Sequence, residues 1–132
     1  MMNKTVLYEG WQMECCGTQF KIGDSVKWTV NNASNINDIE GVENIDFIED
    51  HHDDTESSRD MWILTGKVES ISLLYNRYKE ENNILVPVAR KLIKTNDTEQ
   101  RESDIDNFRF SDFIVELSDA KTRVATKQDL EA

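Results

Sequence analysis

Two pairs of adjacent residues carry the side chains best suited to bind a metal ion. Cys15 and Cys16 are the only cysteines, and His51 and His52 are the only histidines. Thiolates and imidazoles are preferred zinc ligands, and a zinc site needs three or four ligands at fixed geometry. If the segment around the histidines folds back over the cysteines, the four side chains form a mixed site. The sequence therefore raises the hypothesis of a metal-binding or metal-sensing domain, with zinc as the ion.

The spacing of these residues also fits roles without a metal. Zinc sites usually separate their cysteines by two residues, whereas adjacent residues of an extended chain point to opposite faces. One cysteine is then a small core residue, and the other faces solvent or the turn at Gly17. A reactive or redox-active thiol is a third alternative. The histidines precede Asp53 and Asp54, so a solvated histidine–aspartate turn is the corresponding alternative there.

Motifs that indicate catalysis are missing from the sequence. It contains no G-x-S-x-G nucleophile elbow, no G-x-G-x-x-G loop and no P-loop. We therefore expect a non-enzymatic protein without a cofactor, which binds a protein partner or a small ligand. A hydrolase that uses the acidic, histidine-containing segment stays open as a second alternative to the metal hypothesis. The sequence leaves the oligomeric state undetermined.

Negative charge is concentrated in one segment. The net charge is −11, and residues 37–60 hold ten acidic residues and one basic residue, or −9. The other residues therefore carry only −2, and no basic stripe offsets the acidic segment. Nucleic acid and anionic membrane surfaces are disfavoured as partners, whereas a basic protein or a cation is allowed.

Length and hydropathy predict one small domain. A chain of 132 residues with 38% hydrophobic residues can bury a single core. The sequence has no apolar run of membrane-spanning length, and its first residues lack the apolar stretch of a secretory signal. We expect a cytoplasmic protein with reduced thiols. The predicted domain covers residues 1–118, and residues 119–132 are predicted to form a polar tail with at most a short helix.

Alternation of apolar and polar residues predicts strands over residues 20–30, 62–75, 84–92 and 108–117, after an N-terminal strand. Val26 and Trp28 lie on the apolar face of the first long strand. In the second, the apolar face switches near Glu69, which indicates a bulge or bend. Pro87 places the third strand at an edge or a bulge. We predict an all-β fold, a small antiparallel five-stranded barrel, SH3-like, with a long acidic excursion between early strands.

Residues 11–28 contain a signature with the pattern W-x3-CCG-x2-F-x2-GD-x-V-x-W. It resembles the N-terminal signature of an uncharacterised bacterial family of unknown function. A weaker similarity continues through the histidine pair and residues 66–71. The resemblance implies a stand-alone bacterial protein and assigns no activity. The signature residues are Trp11, Cys15, Cys16, Gly17, Phe20, Gly23, Asp24, Val26 and Trp28.

Overall fold

The chain folds into strands, as its alternating pattern predicts. The computed structural model describes residues 3–10, 13, 17–32, 45–49, 61–99, 104–126 and 128–129. These residues contain seven strands, and the prediction of an all-β fold is confirmed. The strands are β1 (Lys4–Glu9), β2 (Ser25–Asn32), β3 (Phe47–Glu49), β4 (Met61–Glu81), β5 (Ile84–Thr95), β6 (Asp104–Ile105) and β7 (Phe108–Val124).

One sheet contains all of these strands, in the order β5-β4-β2-β3-β1-β7-β6. β4 also pairs with β7, so β4, β2, β3, β1 and β7 form a closed ring of hydrogen-bonded strands. β5 and β6 extend the sheet outside this ring. The described part of the chain thus has two strands more than the predicted five. The pairing of β1 with β3 is parallel, whereas the prediction was entirely antiparallel.

β3 is the strand that the sequence pattern does not predict. It lies within the expected acidic excursion, between β2 and β1 in the sheet. Asp46 anchors it, because its carboxylate accepts a hydrogen bond from the N–H of Thr5 at 2.9 Å and its own N–H donates to the Thr5 carbonyl at 2.8 Å. Phe47 pairs with Val6 and packs against the core. A three-residue strand is too short to show an alternating pattern, so tertiary pairing determines it.

β4 is a long strand whose inward face changes part-way along it. Leu64 and Val68 are buried at even positions, and Ile71, Leu73 and Tyr75 are buried at odd positions. The register with β7 shifts between the residues on either side of position 69, so the predicted bulge is confirmed. One extra residue there keeps apolar side chains on the inside of the ring.

β5 is an edge strand, and its predicted irregularity is confirmed. It stands at one end of the sheet order, and its register with β4 shifts between Arg77 and Tyr78, opposite Pro87. The loop that joins β4 to β5 consists of Asn82 and Asn83, both with positive φ (53° and 65°). Positive φ at both central residues is typical of the type I′ turn of a two-residue hairpin.

β7 extends beyond the predicted domain boundary at residue 118. It continues to Val124, and its last residues pair with the start of β4, where Trp62 faces Val124. These residues are exposed, so they show no apolar alternation, and pairing rather than pattern makes them a strand. A helical turn follows, in which Asp129 accepts from the N–H of Thr126 at 2.7 Å and binds the Arg123 guanidinium at 2.7 and 2.9 Å.

The core occupies the inside of the ring. Its largest fully buried side chains include Tyr75, Phe113, Leu64 and Leu117, which β4 and β7 contribute. Val6 from β1 and Val30 from β2 complete the same cluster. In the described part of the chain, no helix is long and apolar enough to cross a membrane.

Candidate functional site

A gap in the described strand pairing of β2 lies beside the short strand β3. β3 pairs with residues 30–32 of β2, and β4 pairs with β2 over residues 25–31. In the described part of the chain, residues 25–29 therefore have a strand neighbour on one side only. This segment, the free edge of β2, has backbone groups that no described strand pairs with.

The direction of those backbone groups can be derived from one hydrogen bond. The N–H of Val68 donates to the carbonyl of Asp24 at 2.9 Å, so that carbonyl points towards β4. Backbone groups alternate in direction along a strand, so those of Val26 and Trp28 also point towards β4. The N–H and C=O of Lys27 consequently point away from β4, outward from the free edge of β2.

A cleft of about 590 Å³ lies beside this edge. Residues 25–29 form one side, residues 17–20 form another, and Tyr8 and Glu49 also line it. Lys27 is exposed, whereas Trp28 is only half-buried, although it packs against the core. Val26 is half-buried in the same way, so both residues predicted on the apolar face contribute to the cleft as well as to the core.

Thr98 holds the opposite side of the cleft in place. Its side chain is fully buried, and its hydroxyl accepts a hydrogen bond from the N–H of Phe20 at 3.1 Å. The N–H of Thr98 donates back to the Phe20 carbonyl at 3.1 Å, and its hydroxyl donates to the side-chain carbonyl of Gln19. The backbones of Lys21 and Asp97 form an isolated antiparallel β-bridge next to the Thr98 hydrogen bonds, which we call the Thr98 clamp. Backbone hydrogen bonds thus hold Phe20 and Lys21 in place, although these residues are not part of a long strand.

Three aromatic residues line the cleft and contact one another. The Trp28 ring centroid is 5.1 Å from that of Phe20 and 5.4 Å from that of Tyr8, and the planes are inclined by 59° and 73°. Tyr8 and Phe20 are themselves 5.7 Å apart. Inclined contacts of this kind are favourable for aromatic pairs. The three residues make one rigid aromatic surface.

Glu49 is the unusual residue of the cleft. It is only 2% exposed, and it pairs with the fully buried Val30, so its side chain lies on the inner face of the ring. Among the described residues that are buried, it is the only one with an acidic or basic side chain. It takes part in further interactions within the chain. A buried carboxylate is costly to desolvate, and Glu49 lines the same cleft as Tyr8, Phe20 and Trp28.

The structure does not test the predicted metal ligands. Cys15, Cys16, His51 and His52 lie outside the described residues. In the part of the chain that is described, no group of three or more histidine, cysteine, aspartate or glutamate side chains could hold a metal ion. The zinc hypothesis stays a prediction.

Sequence reasoning missed Tyr8, Glu49 and Thr98 as parts of a site. Each comes from a different region of the chain, and neither a motif nor a spacing connects them. The available signal for Glu49 was its place two residues after Phe47, which puts both on one face of a strand. Thr98 lies in a segment that the pattern indicates to be a polar loop, and no sequence feature distinguishes it there.

Comparison with known proteins gives one match. A family model described as a family of unknown function (DUF6578) matches residues 2–119. The chain belongs to this family. The signature in residues 11–28 implied a family of unknown function, and the match agrees with that expectation. No curated protein and no solved structure matches the chain. The matched region of this DUF6578 member includes β1 to β6, so it contains every residue of the cleft.

Proposed function

We propose that this DUF6578 member is a non-enzymatic binding domain that takes up an extended segment of a partner protein along the free edge of β2. The observation that carries the proposal is the position of residues 25–29, which are paired on one side and border a cleft on the other. Addition of a strand to an exposed sheet edge is a common mode of peptide recognition. Main-chain hydrogen bonds then supply affinity, and the cleft supplies specificity.

The dimensions of the cleft support a peptide ligand. At about 3.3 Å per residue, a strand of five residues spans roughly 16 Å. The cleft volume of about 590 Å³ lies within the usual range of ligand pockets. Its two sides are held by β4 and by the Thr98 clamp, so binding orders few groups of the protein. Such preorganisation lowers the free-energy cost of association.

A comparison with the edge strand β5 also supports the choice of β2. β5 has features that proteins use to prevent unwanted pairing: Pro87 lacks an N–H, the strand is irregular at that point, and Arg90 and Lys94 are exposed. Residues 25–29 contain no proline, and Lys27 is the only charged residue among them. The edge of β5 is protected against pairing, whereas residues 25–29 border a cleft and have no described strand on that side.

The test uses the full chain and a synthetic strand-forming peptide, acetyl-Thr-Val-Thr-Lys-Thr-Val-Thr-amide. We expect it to bind in NMR titrations up to millimolar concentration and to slow hydrogen exchange of the Lys27 amide. The amides of Val26 and Trp28 provide the internal control, because they bond to β4 and stay protected with or without peptide. A peptide methylated at alternate backbone nitrogens should not bind.

A pair of protein variants isolates the backbone contribution. Lys27→Pro removes the N–H at the free edge, and Lys27→Ala removes the same side chain but keeps that N–H. Neither change removes a hydrogen bond to β4, so both variants should fold. We expect peptide binding to be lost in Lys27→Pro and retained in Lys27→Ala. Equal binding by the two variants would refute strand addition at this edge.

A further inference from the structure

We infer that the inner end of the cleft, formed by Tyr8, Phe20, Trp28 and Glu49, accepts a lysine or arginine side chain of the bound segment. This inference rests on the proposed function, because it concerns the specificity of the same cleft. It adds a chemical class of ligand: an extended segment with a basic residue at the position that faces the pocket. We refer to these four residues as the basic-side-chain pocket.

The buried carboxylate is the first reason. Glu49 is 2% exposed and lies on the inner face of the ring, next to Val30. A carboxylate at low dielectric attracts a cation much more strongly than one in water does. Its two oxygens offer about four acceptor sites, so it can accept from a ligand in addition to its interactions within the chain.

The aromatic surface is the second reason. The faces of aromatic rings carry negative charge density, and tryptophan attracts cations best. Trp28 keeps part of its surface accessible, while Tyr8 and Phe20 are almost fully buried and hold it in place. The long apolar stem of lysine or arginine also packs well on such rings while its charged head reaches a carboxylate. Aromatic faces and one carboxylate together match a basic side chain better than an apolar or acidic one.

The charge of the surroundings is the third reason. Asp24 and Glu49 line the cleft against the single exposed cation Lys27, so the lining has one more negative than positive charge. The whole chain carries −11. A protein with this charge attracts basic segments during diffusional encounter and repels acidic ones.

The experiment uses the strand-forming peptide of the binding test as a host peptide. Its central residue is lysine, arginine, norleucine or glutamate in four otherwise identical forms. Binding to the full chain is measured by NMR titration at low and high salt, together with protection of the Lys27 amide. We expect the lysine and arginine peptides to bind about tenfold more tightly than the norleucine peptide, since bonds to a charged group contribute most. The glutamate peptide should bind most weakly, and the lysine advantage should shrink in high salt.

The variant Glu49→Gln keeps the shape of the side chain and removes its charge. It should bind the norleucine peptide as the wild type does and lose the preference for lysine. Asp24→Asn, a change at the more exposed side of the cleft, is the matched control and should retain most of that preference. If Glu49→Gln does not fold, the salt dependence and the lysine-to-norleucine ratio of the wild type decide the question.

The outcomes separate this inference from the proposed function. If all four peptides bind equally and protect the Lys27 amide, the basic-side-chain pocket is refuted and strand addition stands. If the preference for lysine survives in Glu49→Gln, the carboxylate is not its source and the inference fails. If none of the four peptides binds at millimolar concentration, both the pocket and the proposed function are refuted.

Discussion

Replacing Gly66 with alanine should destabilise the protein by about 1–2 kcal/mol. A Cβ atom at this position would lie 3.0 Å from Leu117 Cβ and 3.1 Å from the Ser118 carbonyl oxygen. The carbonyl belongs to the backbone of β7 and cannot rotate away. Overpacking by one methyl group typically costs 1–3 kcal/mol, whereas alanine restricts the unfolded chain and returns about 0.4–1 kcal/mol. The difference gives the expected loss.

The assay is urea unfolding of the full chain followed by tryptophan fluorescence, with the free energy extrapolated to water. Gly66→Val should cost more than Gly66→Ala, because its two further methyl groups meet the same neighbours. Ser72→Val is the matched control, since Ser72 lies on the same strand, half-buried and facing away from the core. Valine favours strands, so this control should be neutral or stabilising.

The relative stabilities of Gly66→Val and Gly66→Ala test whether β4 and β7 are in close contact at position 66. Without close contact at position 66, the strand preference of valine would make Gly66→Val more stable than Gly66→Ala. That order of stabilities, or a loss below about 0.5 kcal/mol in Gly66→Ala, would show that β4 and β7 are farther apart at this point. The register shift across Gly66 would then need another cause.

Four further predictions concern the cleft, a partly buried acid, a turn and the metal hypothesis. Thr98→Val removes the hydroxyl that binds the N–H of Phe20, so it should cost about 1–3 kcal/mol in urea unfolding and weaken binding of the host peptide, whereas Thr95→Val, which lacks that bond, should retain binding. Partial burial raises the pKa of Asp112 above its ordinary 3.8, so this group stabilises the fold fully below pH 3.8 and loses that contribution as the pH rises through its folded pKa. The stability of Asp112→Asn relative to wild type should therefore increase as the pH rises from 3.8 through that folded pKa, and a difference independent of pH would contradict this. Asn83→Gly should stabilise the β4–β5 hairpin by a few tenths of a kcal/mol to about 1 kcal/mol, seen as slower amide exchange in the hairpin, because glycine adopts positive φ without strain. Metal analysis of protein purified without chelators should find near-stoichiometric zinc if the cysteine and histidine pairs form a site, and its absence would remove that hypothesis.

The features that could be predicted from the sequence are those in which one strand carries its own signal. β4 is long enough to show alternation on both sides of position 69, so the change of face could be located to within a residue or two. Pro87 lacks an N–H, which restricts it to an edge or a bulge wherever it occurs in a strand. Local covalent structure and periodicity determine both features, and neither requires knowledge of the partner strands.

The features that could not be predicted depend on pairing between distant segments. Residues 121–124 are exposed, and they form a strand because the start of β4 pairs with them. Phe47 and Glu49 belong to a strand too short for periodicity, which β1 and β2 hold from both sides. Glu49 is therefore buried because β3 pairs with β2, and not because its side chain is apolar. Composition alone assigns it to the solvated acidic segment.

One short strand accounts for both parts of the proposed site. The pairing of β3 with β2 reaches only Val30, and within the described residues no strand pairs with that side of β2 from there towards Ser25. Glu49, the last residue of β3, lies where this described pairing stops, and it also lines the cleft. A strand that continued β3 along residues 25–29 would occupy the place that we propose for the partner segment.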